Sequence, residues 1–268
     1  MNAVPCFFRF ATALTLATAV ATAVNAPAWA QSTAPTLECT APAELIRLDN
    51  PLKRLAQKIA TGRSITIVAI GSSSTSGAGA SSPAMSYPNR LVAELNELFP
   101  QVSITIINRG VGGETMADML ARFNRDVFAE NPDLVLWQVG SNSVLRDLPL
   151  TEASAQLREG LKRLRVADTD VVLINPQYAP KVIDKRDADA MVDLIGATAR
   201  DTQVDLFQRF AVMRYWRLTE DISFSAFLSP DELHMNDWSY GCIAKLLAKS
   251  IHDATIRATV TAAAGARR

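Results

Sequence analysis

The chain of 268 residues holds only two histidines, and one of them follows a carboxylate at a spacing of three. His234 closes the run Pro230-Asp231-Glu232-Leu233-His234, with Met235-Asn236-Asp237 after it. In a turn, a carboxylate at this spacing reaches imidazole Nδ1, fixes the tautomer and leaves Nε2 free to take a proton. A hydroxyl nucleophile working at neutral pH needs such a base. The same two residues also read as a surface Asp and a surface His with no joint role, so the pair alone decides nothing. The second histidine, His252, lies beside Asp253 within a helical pattern and reads as part of a solvated helix face. Hydroxyl groups crowd one place, Gly71-Ser72-Ser73-Ser74-Thr75-Ser76. A serine at a strand-to-loop junction exposes its Oγ, and nearby backbone N–H groups can face an anion. Local chemistry does not choose among Ser72, Ser73 and Ser74.

Several other chemistries are weakened by what these loops lack. The stretch from Gly71 to Gly77 has no Gly-Lys-Ser/Thr ending of a phosphate-binding loop. Gly110-Val111-Gly112-Gly113-Glu114-Thr115 has no third glycine of a dinucleotide fingerprint. A Gly-x-Ser-x-Gly elbow is absent because Thr75 stands at its last position. No cluster of histidines and cysteines has the spacing of metal ligands, and no cofactor is called for.

Elements must bring these residues together, and hydrophobic periodicity says which. Ile65–Ile70, Val102–Asn108, Leu134–Val139 and Val171–Asn175 are short apolar runs rich in β-branched residues, as in buried strands, and Val204–Phe207 is a weaker fifth. Helical patterns separate them over Tyr87–Leu98, Thr115–Ala129, Thr151–Val166, Asp187–Arg200 and Tyr240–Ile256. This alternation predicts a three-layer α/β/α, flavodoxin-like fold with a mostly parallel five-stranded sheet. Such sheets carry their chemistry at the carboxyl ends of the strands. The first three runs end in Gly71-Ser72-Ser73-Ser74, in Asn108-Arg109-Gly110-Val111-Gly112-Gly113 and in Gly140-Ser141-Asn142-Ser143. That three successive strand ends carry small polar loops argues more strongly than any one loop.

Composition bounds the rest. The 27 basic and 27 acidic residues balance, which speaks against a nucleic-acid partner and against a single-sign field steering a charged one. Arg9, the apolar stretch from Phe10 to Val24 and Ala28-Trp29-Ala30 read as a signal peptide over residues 1–30, too short for a span of about 20 apolar residues. A periplasmic or secreted protein with no stable membrane anchor follows. A linker with a short helix is expected over 31–62, a catalytic domain over 63–258 and a disordered tail over 259–268. Cys6 would leave with the signal, so Cys39 and Cys242 remain as an even pair in an oxidising compartment, and a disulfide is expected between them. Closing so long a loop stabilises by an amount on the order of 4 to 5 kcal/mol in the chain-entropy account.

Four blocks in order resemble the SGNH, or GDSL-type, hydrolases, named for a Ser, a Gly, an Asn and a His. Ile70-Gly71-Ser72-Ser73-Ser74-Thr75 is similar to the first block, with Ser73 at the nucleophile position. Asn108-Arg109-Gly110-Val111-Gly112-Gly113-Glu114-Thr115 resembles the second, with Gly113 at the oxyanion glycine. Gly140-Ser141-Asn142-Ser143 resembles the third, with Asn142 as the oxyanion side chain, and Asp231-Glu232-Leu233-His234-Met235-Asn236 the last. The likeness covers residues 65–250. It departs at Ser72 and Ser143, where the family usually has aspartates, neither of them a proton carrier. The resemblance implies a serine esterase working through an acyl-enzyme, with Ser73, Asp231 and His234 as triad. Its oxyanion would be held by the Ser73 and Gly113 N–H groups and the Asn142 amide. The implied substrate is a small-molecule or glycan ester, an O-acetylated envelope or extracellular glycan first. A lipid esterase or lysophospholipase, an acyltransferase on the same scaffold and a noncatalytic carbohydrate-binding protein are the rivals. Trp137, Tyr178, Phe224, Phe227 and Trp238 belong either to a cleft or to the core.

Overall fold

The computed structural model describes Met1 and residues 37–265, with side chains to residue 259. The expected signal segment and the start of the expected linker lie outside the described residues. Cys39–Arg268 forms a unit of its own, separate from Met1–Glu38, and the fold is that of this unit.

The five apolar runs become β1 (Ile65–Gly71), β2 (Ile104–Gly110), β3 (Leu134–Gln138), β4 (Asp170–Ile174) and β5 (Asp205–Phe207). They pair in the order β2-β1-β3-β4-β5, every pair parallel. Every residue of β3 is buried, as fits a central strand covered by helices on both faces. β2 starts two residues later than its apolar pattern, because Val102 closes a turn onto Phe99. It then runs on through Arg109 and Gly110, which pair with Ile70 and Gly71.

Helices Lys53–Ala60, Tyr87–Leu98 and Asp237–Gly265 pack together on one side, and Met116–Asp126, Leu150–Val166 and Ala188–Thr202 pack in sequence on the other. Met116–Asp126 starts at a capping box, in which Thr115 and Asp118 satisfy each other's free donors. Arg209–Leu218, absent from the expected helices, buries Phe210, Met213 and Trp216 at a spacing of three. The last helix corrects the expected tail: it continues to Gly265, through an alanine-rich stretch of high helix propensity. Only 266–268 of that tail fall outside the described residues. Among the described residues, no helix is long and apolar enough to cross a membrane.

Cys39 and Cys242 form a disulfide with Cα atoms 5.3 Å apart, closing 203 residues of chain. It fastens the start of the unit to the second turn of Asp237–Gly265. His252, on the same helix, is half-buried against Phe99 with ring centroids 5.3 Å apart. Trp137 and Phe227 are core side chains. Tyr178, Phe224 and Trp238 are half-buried members of the same aromatic cluster, with Tyr178 stacked on Phe224 and Trp238 edge-on to Trp216.

Candidate active site

Strand order reverses between β1 and β3, and in parallel sheets ligands bind in the crevice at the carboxyl ends there. Ser73 follows β1 and Asn142 follows β3. Ser73 opens a single helical turn, Ser73–Ser76. The end of β2 lies directly against this turn: a Cβ on Gly110 would come within 2.1 Å of the Ser76 nitrogen, so only glycine fits. Asn108 ties the two segments, donating from Nδ2 to Thr75 O at 2.9 Å.

His234 arrives from the far end of the chain. A bridge between Leu228 and Met235 closes its loop, and Ser229 N–H donates to His234 O at 2.8 Å. Within the loop Glu232 takes a left-handed φ of 58°, which turns the chain back on itself. Asp231 Oδ1 then accepts from the Leu233 N–H (3.0 Å), the His234 N–H (2.9 Å) and the Ser229 hydroxyl (2.9 Å). Its other oxygen, Oδ2, lies 2.5 Å from His234 Nδ1. His234 Nε2 lies 2.8 Å from Ser73 Oγ. Partial burial opposes ionisation of Asp231, but the hydrogen bonds from His234, Leu233 and Ser229 outweigh it and hold the carboxyl well below its ordinary range. Asp231 is therefore an anion at neutral pH, bonded to the imidazole.

The three adjacent serines separate by environment. Ser72 is buried and donates its hydroxyl to Gln138 Oε1 at 2.9 Å. Ser74 is buried and faces Gln177 Oε1 at 3.5 Å. Ser73 is half-buried, with its Oγ against the imidazole. The Gly112–Gly113 turn abuts it, since a Cβ on Gly112 would sit 4.0 Å from Ser73 Cβ. Among the described residues, the N–H groups of Ser73 and Gly113 have no acceptor. Asn142 spends one N–H on Glu114 O at 2.8 Å, which fixes the plane of its amide. Arrangements of this kind can move a proton from a hydroxyl to an imidazole and present free donors to an anion.

The non-GDSL lipase-like family model matches residues 38–257. The chain belongs to that family. Its parallel α/β sheet is the fold that the SGNH resemblance implies. Over 102 residues the chain is 32% identical to the acetylxylan esterase of Geobacillus stearothermophilus, a stretch covering 34% of this chain and 47% of that protein. The match therefore spans about half the length of that curated relative. Over 148 residues it is 26% identical to the arylesterase of Vibrio mimicus, covering 55% of this chain and 70% of the relative. A two-domain esterase active on acetylated mannans shares the fold with a TM-score of 0.67 at 21% identity, over 78% of this chain and 56% of that one. The crystal structure of the Geobacillus stearothermophilus acetylxylan esterase superposes with a TM-score of 0.59 at 22% identity, over 70% and 94%.

Around these residues the protein carries a buried polar framework that motif reading missed. Arg122 binds Glu114 and Asp126 and donates to Arg109 O (2.8 Å) and Gly71 O (3.3 Å), so it braces the ends of β1 and β2. Through Glu114 it also braces the carbonyl that holds Asn142. Gln138 Oε1 accepts from Ser72 N–H (2.8 Å) and the Thr75 hydroxyl (3.3 Å) as well as Ser72 Oγ. The signal for Gln138 was present: it is the one polar residue in the otherwise apolar run Leu134–Val139. Gln177 and Arg209 lie beyond the fourth and fifth strands, whose ends carry no glycine-rich loop to draw attention. Arg209 is wholly buried, and burial pulls its guanidinium down to about 10, so it remains charged at neutral pH.

Proposed function

We propose that this protein is an exported serine esterase that removes small acyl groups, acetyl foremost, from envelope or extracellular glycans. The observation that carries the reading is the position of His234, 2.5 Å from Asp231 on one side and 2.8 Å from Ser73 Oγ on the other. The glycan part rests on likeness to an acetylxylan esterase and, in fold, to an esterase active on acetylated mannans. Export rests on the N-terminal sequence and accords with the Cys39–Cys242 disulfide.

In this mechanism His234 Nε2 takes the proton of Ser73 as Oγ attacks the ester carbonyl carbon. The oxyanion that forms is held by the N–H groups of Ser73 and Gly113 and by the second N–H of Asn142. One such donor is worth about 2.7 to 4 kcal/mol of barrier. His234 passes the proton to the departing alcohol, leaving an acyl group on Ser73. Water, deprotonated by the same imidazole, attacks the acyl-enzyme, and the acid leaves as Ser73 regains its proton. Asp231 orients the ring and stabilises its charged form in both halves.

The test is acetate release from acetylated xylan and mannan oligosaccharides, run beside nitrophenyl esters from acetate to decanoate. The proposal expects acetyl esters to be the best substrates and rates to fall with acyl length. A rise in kcat/KM toward decanoate would make the protein a lipid esterase. Faster turnover and a new ester on adding a sugar alcohol would make it an acyltransferase.

A further inference from the structure

One buried amide touches the neighbours of three residues of the proposed site. Gln177 lies just past the end of β4 and is buried. Its Oε1 accepts from Ser141 Oγ at 2.9 Å, from Arg209 Nη2 at 3.0 Å and from Ser74 Oγ at 3.5 Å. Its Nε2 donates to Leu233 O at 3.3 Å. Ser74 follows Ser73, Ser141 precedes Asn142 and Leu233 precedes His234. Three loops that are distant in sequence therefore meet on one side chain.

Donor directions along this chain of bonds agree with one another. Arg209 can only donate, so it fixes which end of the Gln177 amide is oxygen. Ser141 gives its hydrogen to that oxygen and receives one from Gln138 Nε2 at 3.3 Å. Gln138 Oε1 in turn collects the donors of Ser72 and Thr75. Arg209 itself is held by neutral oxygens, Asn175 O at 3.0 Å and Gln177 Oε1, and its Nη1 has no partner among the described residues. A buried cation facing an amide oxygen polarises that amide and strengthens its remaining bonds.

An apolar residue would fill so buried a position at lower cost, because a buried amide is tolerated only when its bonds are made. Apart from the bond from Arg209, which opens the helix Arg209–Leu218, those bonds go to the loops carrying the chemistry. We propose that Gln177 is a positioning residue: it locks the serine turn, the Asn142 turn and the His234 loop in mutual register, with Arg209 setting its orientation. This rests on the reading of Ser73, Asn142 and His234 given above.

Gln177→Glu separates positioning from folding. A carboxylate keeps the acceptor for Ser141 and pairs with Arg209, yet it opposes the Leu233 carbonyl beside His234. The expected result with nitrophenyl acetate is a kcat at least about tenfold lower, a KM within about twofold of wild type and a melting temperature not lowered. Ser141→Ala, a smaller change that cuts the link to the Asn142 turn together with the bond from Gln138 Nε2, should lower kcat about fivefold with KM unchanged. The inference is overturned if both variants keep the wild-type kcat, or if the losses appear only in KM or track the unfolded fraction. The rate of Ser73 labelling by a fluorophosphonate is measured in the same samples. Wild type labelled on Ser73, with Gln177→Glu labelled as fast, defeats the Gln177 role alone. Wild type not labelled on Ser73 defeats the site reading, and this inference with it.

Discussion

Ser72 and Gln138 are joined twice, since the backbone N–H and the hydroxyl of Ser72 both donate to the same Oε1, at 2.8 and 2.9 Å. The GDSL-type motif that this stretch resembles has an aspartate at the position of Ser72. Here an aspartate would set a carboxylate against an acceptor that is already bonded, in a buried place. Ser72→Asp, although it restores the commoner motif, should lower kcat/KM by about 10- to 100-fold and reduce the melting temperature. Steady-state kinetics and a thermal melt on the purified variant check this. Wild-type activity with Asp at position 72 would mean that Gln138 does not set the conformation of the serine turn.

Asp231 divides its two oxygens between different tasks. Oδ1 collects the N–H groups of Leu233 and His234, and Oδ2 faces His234 Nδ1. In Asp231→Asn the backbone donors keep the oxygen at the Oδ1 position, so the NH2 group must face Nδ1. The imidazole then carries its hydrogen on Nε2 and cannot accept the Ser73 proton. Activity should fall by about 1,000- to 10,000-fold with the fold intact. Turnover with nitrophenyl acetate and the melting temperature together check it; turnover close to wild type would remove Asp231 from the proposed triad.

Asp205 gives stability a pH dependence. Burial raises its carboxyl to about 6, against the hydrogen bonds from Asn50 that favour the anion. Asp170 is raised to about 6 by burial as well. A carboxyl with a raised folded-state pKa contributes stability below its unfolded value, near about 4, and loses that contribution as pH climbs through about 6. The melting temperature should thus fall between about pH 4 and 6, and Asp205→Asn should flatten part of the slope. Melts across that range decide the matter, and an equally steep slope in the variant would refute the assignment to Asp205.

Much of the fold was legible because its strands are continuous apolar runs. Five of them, separated by helical periods, leave few alternatives to a parallel sheet. Bounds moved where backbone bonds overrode apolar pattern, as at Val102. The helix Arg209–Leu218 escaped notice because it follows β5 after a single residue, Gln208, with no side-chain cap to mark its start. Of the site, the glycine- and serine-rich loops announced themselves by composition. The proposed choice of Ser73 over Ser72 and Ser74 needs three dimensions, because it lies in which hydroxyl Gln138, Gln177 and His234 each claim. The framework of Arg122, Gln138, Gln177 and Arg209 was the least legible part. Each is a single polar residue in an ordinary setting, and only burial reveals that its bonds converge.

The central claim, that Ser73 is the nucleophile of an acyl-enzyme, has a direct measurement. Wild-type protein is mixed with nitrophenyl acetate, quenched in acid within the first turnovers, digested and examined by peptide mass spectrometry. An acetyl group on Ser73 is the expected result. Ser73→Ala should show no adduct and a kcat lower by about 10,000-fold or more, while Ser74→Ala stays within about tenfold of wild type. An acetyl group on Ser72 or Ser74, or full turnover in Ser73→Ala, would contradict the account.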